Sequence, residues 1–443
     1  MNILKPWSVP LRVAAAIGGA ALVGLAAPIL AQRMDVFVES RDHPAIAYTT
    51  RPSHDLVAEL DEKLQRGTAQ LTFDRQTGYL RATLEALHVP VASQSLVLSQ
   101  TSAQAEKINP KNPRALYFND TVAVAWVRGS DTLELAAQDK DQGVVFYTIP
   151  QVASAKPRFT RDNDCLLCHL SWDNLGVPGM MALTTFPMSD DPNSYASGFT
   201  VDHRTPLDQR WGGWYVTGRA GAVQHAGNVP VIVKASEFTG KRGPTPRLTT
   251  LAGTFDTTGY PSQHSDLIAL MVLDHQVRSV NLITRLGWEA RVAAAPRGRG
   301  PAARPAQGED GTARVADAAR ELADYLLFVD EAPLSGRLEG SSTFAAEFAA
   351  LGPLDKKGRS LRQFDLERRM MRYPCSYMIY TPAFDGLPPA ALDAVYRRLW
   401  QILSGEQRGP AYAHLTLPLR QAIVEILRDT KPMLPAYFQR VDR

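Results

Sequence analysis

Cysteine is scarce in this sequence, which has only Cys165, Cys168 and Cys375 in a chain of 443 residues. Three cysteines do not make a disulfide framework, and a chain of this length can bury enough apolar surface to fold without one. The net charge is also small, at +3, and gives no reason to expect a nucleic-acid partner. No phosphate-binding glycine loop, metalloprotease motif or catalytic triad is recognisable, so the common nucleotide and hydrolase chemistries are not indicated.

The N-terminus has the pattern of an export signal. Lys5 and Arg12 precede an uncharged apolar run from Val13 to Leu30, and cleavage after Ala31 is compatible with that pattern. The alternative is that the run is retained as an inner-membrane anchor, because its length is close to that of a membrane span. Either outcome places the remainder in the periplasm, and we expect membrane contact only through such an anchor.

The remaining sequence predicts an α+β protein with a β-rich N-terminal part, an irregular middle and a helical C-terminal part. Residues 294–312 consist largely of Pro, Gly, Ala and Arg, with little to bury, and predict a flexible loop. The predicted parts are a signal peptide or anchor at 1–31, a helical and β-rich part at 32–150, an irregular part at 151–293, the loop at 294–312 and a helical part at 313–443.

The spacing of apolar residues predicts several helices. The first is capped by Ser53, carries Leu56, Leu60 and Leu64 on one face, and ends before Gly67. The other predicted helices are one that groups Leu80, Leu84 and Leu87, a long one within 265–292, one at 390–403 and one near 419–427.

Four segments rich in β-branched and aromatic residues predict a small antiparallel sheet, because turn-forming clusters separate them. These segments are 115–118, 121–127, 132–137 and 144–149.

The irregular middle part contains the strongest chemical signal, a C-x-x-C-H sequence formed by Cys165, Cys168 and His169. This spacing is the attachment signature of c-type haem, in which two thiols add to the porphyrin vinyl groups and the histidine becomes the proximal iron ligand. The export signal agrees with it, since such haem is attached outside the cytoplasm. The sequence therefore predicts one covalent haem c, bound through Cys165 and Cys168, with His169 on the iron.

Other uses of the cysteine pair are less consistent with its surroundings. A thioredoxin-like dithiol would lie at a helix start within a β-α-β pattern, whereas Cys165 and Cys168 lie among polar, turn-rich segments. A structural zinc site needs more ligands, and Cys375 is the only other cysteine. A disulfide between Cys165 and Cys168 would close too small a loop to stabilise the fold much. We expect Cys375 to be a buried, unreactive side chain.

The sixth iron ligand stays open at this point. Met180 or Met181, directly after the turn at 176–179, would raise the reduction potential, and an imidazole would normally lower it. A vacant sixth position is the third alternative. The histidine candidates are His203, His225, His264 and His275, of which we take His225 as the provisional distal ligand.

Three tryptophans, Trp172, Trp211 and Trp214, flank the motif region. Large aromatic rings suit the wall of a porphyrin pocket and suit an ordinary core equally well. The sequence alone does not decide between these two roles.

Six segments carry a resemblance to a known family: 115–120 (ALYFND), 165–169 (CLLCH), 176–179 (GVPG), 202–204 (DHR), 210–218 (RWGGWYVTG) and 373–377 (YPCSY). Through them the chain resembles a bacterial family of large exported monohaem proteins, the cytochrome c domain proteins. The resemblance implies covalent haem, iron binding and electron transfer, and a position near the haem for His203 or His225, but no substrate. The loop at 294–312 looks like an insertion peculiar to this chain, and the predicted α+β architecture should differ from the small all-helical cytochrome c fold.

Three functions follow from a haem at this motif. The first is a periplasmic monohaem c-type cytochrome that transfers single electrons to a periplasmic redox partner protein. The alternative is a haem enzyme, peroxidase-like or another oxidoreductase, with an open sixth position assisted by His203, Arg204 or His225. The third is a haem-based sensor. The coordination of the iron distinguishes them, so whether the protein is an enzyme stays open.

Overall fold

The computed structural model describes residues 36–98, 100, 102–185, 198–221, 223–229, 245–296 and 308–441, with side chains from 311 onward in the last range. The predicted signal or anchor and its cleavage after Ala31 lie outside the described residues, as do residues 297–307 of the predicted loop. Among the helices in the described ranges, none combines the length and apolarity needed to cross a bilayer.

The four predicted strand segments are confirmed as neighbours in one antiparallel sheet. The strands of the described residues are β1 (Ser95–Val97), β2 (Arg114–Phe118), β3 (Val122–Trp126), β4 (Thr132–Asp139), β5 (Gly143–Pro150), β6 (Thr160–Arg161), β7 (Leu183–Thr185), β8 (Gly198–Thr200), β9 (Trp214–Tyr215), β10 (Gly218–Arg219) and β11 (Glu339–Gly340). The central sheet has seven strands in the order β6-β5-β4-β3-β2-β1-β9, while β7 pairs with β8 and β10 with β11.

The two faces of this sheet differ in character. One face carries Tyr117, Val124 and Leu135, which lie opposite one another on adjacent strands and are buried. Since side chains alternate along a strand, Ala136 and its partner Phe146 point to the other face. This second face is the one that meets the C-x-x-C-H segment.

The predicted helices are confirmed, and together with the sheet they give the α+β fold that the sequence predicts. Gly405 ends α8 in the left-handed conformation (φ 84°), which a glycine adopts without strain. The helices are α1 (Leu56–Arg66), α2 (Leu80–Ala86), α3 (Leu166–His169), α4 (Leu267–Ala294), α5 (Gly308–Leu326), α6 (Phe344–Ala350), α7 (Pro382–Asp385), α8 (Pro389–Ser404) and α9 (Leu417–Thr430).

The cap and the buried face of α1 differ from the prediction. Asp55, not Ser53, caps the helix, and its carboxylate accepts hydrogen bonds from the main-chain amides of Val57 and Ala58. Leu56 is 42% exposed, and Val57 takes its place on the buried face. Ser53 lies three residues before the helix begins, and its hydroxyl is instead 2.6 Å from the Tyr147 hydroxyl.

The central helix α4 organises the rest of the chain. It begins at the side-chain cap Asp266, is buried along nearly its whole length, and packs against β5, α5 and α8. The predicted loop at 294–312 is too long at both ends, since Ala294 still belongs to α4 and residues 308–312 belong to α5. Val315 packs against the core and begins the apolar face of α5. The helix continues from there back to Gly308.

One hydrophobic core runs through the described residues and joins the sheet, α4 and the C-terminal helices. Asp35–Arg443 accordingly group into one compact unit by their contacts. The segment between β5 and α4 contributes β6 to β10 and the C-x-x-C-H turn, and it positions the candidate site.

Candidate haem site

The C-x-x-C-H segment forms a single helical turn at the protein surface. Leu166 anchors the turn in the core, whereas Leu167 is 87% exposed and Cys168 is also exposed. Positions i, i+3 and i+4 of a helical turn share one side, so the thiols of Cys165 and Cys168 lie on the same side as the His169 ring. The arrangement presents both thiols and the imidazole to one neighbouring group.

The His169 ring is held by one of its two nitrogens. Its Nδ1 lies 2.9 Å from the Gly179 carbonyl oxygen, which can only accept, so Nδ1 carries the proton and Nε2 the lone pair. No hydrogen bond joins Nε2 to the part of the chain that the structure describes. Burial lowers the pKa of His169, which keeps the ring neutral at pH 7. A neutral imidazole with a fixed Nδ1 is the form that binds a metal through Nε2.

The carbonyl that holds His169 is itself fixed by its neighbours. The Gly179 amide donates to the His169 carbonyl at 3.0 Å, which closes a reciprocal pair with the Nδ1 bond. The next carbonyl, of Met180, accepts the side-chain amides of Asn174 at 3.0 Å and Asn281 at 2.9 Å. A Cβ on Gly179 would lie 2.1 Å from the Asn281 Oδ1, so a larger residue there would displace the Asn281 side chain. We call these five residues the histidine clamp.

The sequence identifies His169, and it draws attention to Gly179 and Met180 through the turn at 176–179, but it gives no signal for the two asparagines. Asn174 is close to the motif along the chain, but Asn281 lies in α4, and no local pattern connects it with His169.

The cysteine environment argues against a redox dithiol. Burial raises the pKa of Cys165 to about 12, with a further contribution from the carboxylate of Asp162. Reactive C-x-x-C pairs need a lowered thiol pKa, usually at the N-terminus of a longer helix. Here the motif occupies an isolated turn after the short strand β6.

The surroundings of the motif include an apolar surface for a porphyrin. Trp172 is 66% exposed beside the exposed Leu167, and the Phe146 ring is centred 4.7 Å from that of His169. Next to Phe146 the second face of the sheet carries small side chains, among them Ala136. Exposed aromatic and aliphatic side chains next to two thiols are unfavourable in water and suit an apolar prosthetic group.

These residues fit a covalent c-type haem. Cys165 and Cys168 would hold the porphyrin through thioether bonds, and His169 would bind the iron. Within the described ranges no group of three or more His, Cys, Asp and Glu side chains is placed to hold a metal ion. A haem site does not require such a group, because the porphyrin itself supplies the equatorial nitrogen ligands.

The two methionine candidates follow the main chain that holds His169. Met180 comes directly after Gly179, whose carbonyl is bound to Nδ1. The Met181 sulfur lies 4.0 Å from the Ser171 hydroxyl. Their role as the sixth ligand stays a prediction.

His203 and His275 are engaged with each other in the core. Their Nδ1 atoms are 2.8 Å apart, and the Nε2 of His275 lies 2.7 Å from the Ser376 hydroxyl. The rings of Tyr325 and Phe328 pack against both imidazoles. Burial lowers the pKa of both histidines, to about 3 for His275. No hydrogen bond or ring contact among the described residues links either ring with His169.

The provisional distal ligand, His225, is also buried, but it lies elsewhere. Its Nδ1 accepts the Gly227 amide at 3.1 Å, and its ring packs 5.9 Å from the Trp211 ring. No hydrogen bond or ring contact among the described residues links it with 165–169. The His264 Nδ1 is buried and has no partner in the described ranges. The distal ligand therefore stays a prediction.

The remaining candidate residues divide clearly between core and surface. Trp211 and Trp214 are core residues, with indole nitrogens that donate to Asp274 and to the Leu183 carbonyl, whereas Trp172 lies at the surface beside the motif. The burial predicted for Cys375 is confirmed, and burial raises its pKa to about 12.

No family model matches this chain, and no curated protein or solved structure matches it either. The resemblance to the cytochrome c domain proteins therefore stays an interpretation of the motifs. The geometry of the site carries the functional argument.

Proposed function

We propose that this protein is an exported, periplasmic monohaem c-type cytochrome that passes single electrons to a redox partner protein. The observation that carries the proposal is the state of His169, whose Nδ1 is held by the Gly179 carbonyl beside two thiols on the same helical turn. This arrangement supports a proximal ligand better than it supports a dithiol or a structural histidine.

Each residue of the site has a defined part in this proposal. Each cysteine S–H adds across one porphyrin vinyl group, so a thioether forms and nothing leaves. His169 offers the Nε2 lone pair, and Gly179 keeps the proton on Nδ1. The bound haem supplies one-electron exchange between ferric and ferrous iron. The exposure of Leu167 and Trp172 supports electron exchange with a partner at this surface.

A haem enzyme with an open sixth position is the second candidate. It is favoured by the placement of two histidine candidates, since His203 is engaged with His275. Ferrous iron without a sixth protein ligand binds carbon monoxide readily, which separates this candidate from a six-coordinate electron carrier.

The test is expression in a host that attaches haem, followed by optical spectra of native and denatured protein. We expect haem to stay with the denatured chain, and the native ferrous iron to ignore carbon monoxide. Cys375→Ala is the matched control and keeps its haem, because that thiol is buried away from the motif. Release of the haem on denaturation would contradict the proposal. Rapid binding of carbon monoxide would favour the haem enzyme over the electron carrier.

A further inference from the structure

An ion pair lies on the sheet face that meets the haem motif. The Arg114 Nη2 is 2.5 Å from the Glu134 Oε2, across the central strand β3, where Ala125 lies opposite Glu134. Phe146, on the neighbouring strand β5, points to the same face as Glu134, and its ring contacts His169. The pair and the proximal histidine therefore share one surface.

The two charges lie close to the motif. Glu134 is two residues from Ala136 on the same face of β4, and Ala136 lies opposite Phe146, whose ring is centred 4.7 Å from that of His169. The side chains of the ion pair are only 20% and 17% exposed, so water screens them incompletely. The Arg114 Nε is buried and has no partner within the described residues.

We propose that the Arg114–Glu134 pair sets the reduction potential of the haem, with Arg114 favouring ferrous iron and Glu134 favouring ferric iron. The inference rests on the proposed function above. Ferric haem carries one more positive charge than ferrous haem, so a nearby cation destabilises the oxidised form and a nearby anion stabilises it. Both residues would act on the bound iron through the electrostatic field at His169.

The test is a spectroelectrochemical titration of the purified holoprotein and four variants. We expect Arg114→Gln to lower the potential and Glu134→Gln to raise it. Arg114→Lys keeps the charge and stays near the wild-type potential, and the double variant Arg114→Gln/Glu134→Gln falls between the two single variants. A purely structural role would move both single variants the same way, because each would loosen the same packing.

A second ion pair provides a matched control. Arg359 is 2.6 Å from Glu425, has 17% of its side chain exposed, and joins the chain after α6 to α9. Arg359→Gln and Glu425→Gln should leave the potential unchanged. The inference is overturned if the two single variants at the first pair shift together or not at all. If Arg114→Gln yields no holoprotein, the potentials of Arg114→Lys and Glu134→Gln are compared instead. Glu134→Gln should then raise the potential, and Arg114→Lys should leave it near the wild-type value. If the wild-type protein carries no covalent haem, the proposed function itself is contradicted, and this result is obtained before any potential is measured.

Discussion

Two regions of this molecule hold histidines in opposite ways. His169, in the surface turn, has Nδ1 on a main-chain carbonyl, and its Nε2 has no hydrogen-bond partner in the described ranges. His275, in the centre of the fold, has one nitrogen on His203 and the other on Ser376. A metal ligand needs one nitrogen fixed and the other available, and His275 has neither nitrogen available. The partners of the two ring nitrogens, rather than burial alone, separate the two roles.

The largest expected effect comes from removing the thiols of the surface turn. Cys165→Ala/Cys168→Ala should lose all covalent haem, because no thioether can form. The measurement is haem absorbance of the denatured polypeptide after gel filtration. Retention of haem by this double variant would show that another residue attaches it.

The second effect should appear in the core and spare the haem. His275→Ala leaves a cavity and removes partners from His203 and Ser376, so we expect a loss of about 3 kcal/mol in the free energy of unfolding. Denaturant unfolding measures it, and Ser376→Ala, which removes one hydrogen bond, should cost about 1 kcal/mol. If His275→Ala kept normal stability but changed the iron spectrum, His275 and not His169 would be the histidine that acts on the iron.

The third effect is a pH dependence that belongs to a buried histidine. Burial, with Arg247, lowers the pKa of His225 to about 4. As the pH falls, His225 therefore takes up a proton in the unfolded chain before it does so in the folded chain. The free energy of unfolding decreases for this reason between about pH 6.5 and about pH 4. At pH 5 we expect His225→Asn to be less destabilised by acid than wild type, by about 1–2 kcal/mol relative to pH 7.5.

The comparison of these two proteins removes the contributions of other groups. The pH dependence that Asp274 contributes has the opposite sign. Burial raises the pKa of this carboxyl to about 7, so its contribution to stability falls as the pH rises through that value. Identical acid losses in both proteins would contradict the burial of an uncharged His225. Conversion of the iron from low spin to high spin in His225→Asn would instead identify His225 as the distal ligand.

The smallest effect concerns the histidine clamp. Gly179→Ala puts a Cβ against Asn281, and we expect a loss of about 1 kcal/mol in stability, with a changed iron spectrum because the carbonyl on Nδ1 moves. Gly311→Ala is the control, because its Cβ would make only an ordinary contact, at 3.6 Å from the Ala293 Cβ. Equal spectra for the two variants would show that the clamp does not influence His169.

The sequence predicts what is local in this molecule. The motif residues are contiguous in the chain, and the strands of the central sheet follow one another with short turns, so alternation and turn chemistry locate them. The cap of α1 was misplaced by two residues because Ser53 and Asp55 are both good caps, and the contact of Ser53 with Tyr147 decides between them.

What the sequence could not supply depends on contacts between distant residues. Asn281 binds the Met180 carbonyl across 101 positions, and Arg114 meets Glu134 across an intervening strand. The tryptophans show the same limit, since Trp211 and Trp172 have the same ring but lie in the core and at the surface, respectively. Burial of this kind is set by the packed fold and has no local pattern.

The position of Asn281 has a consequence for the order of maturation under the proposed function. A chain exported N-terminus first would present Cys165 and Cys168 well before α4 follows. The histidine clamp would be incomplete during that interval, because one of its two side-chain amides belongs to α4. Haem attachment would then act on an accessible motif, and the arrival of α4 would fix His169. Attachment of the cofactor and completion of the fold would be successive steps along one translocating chain.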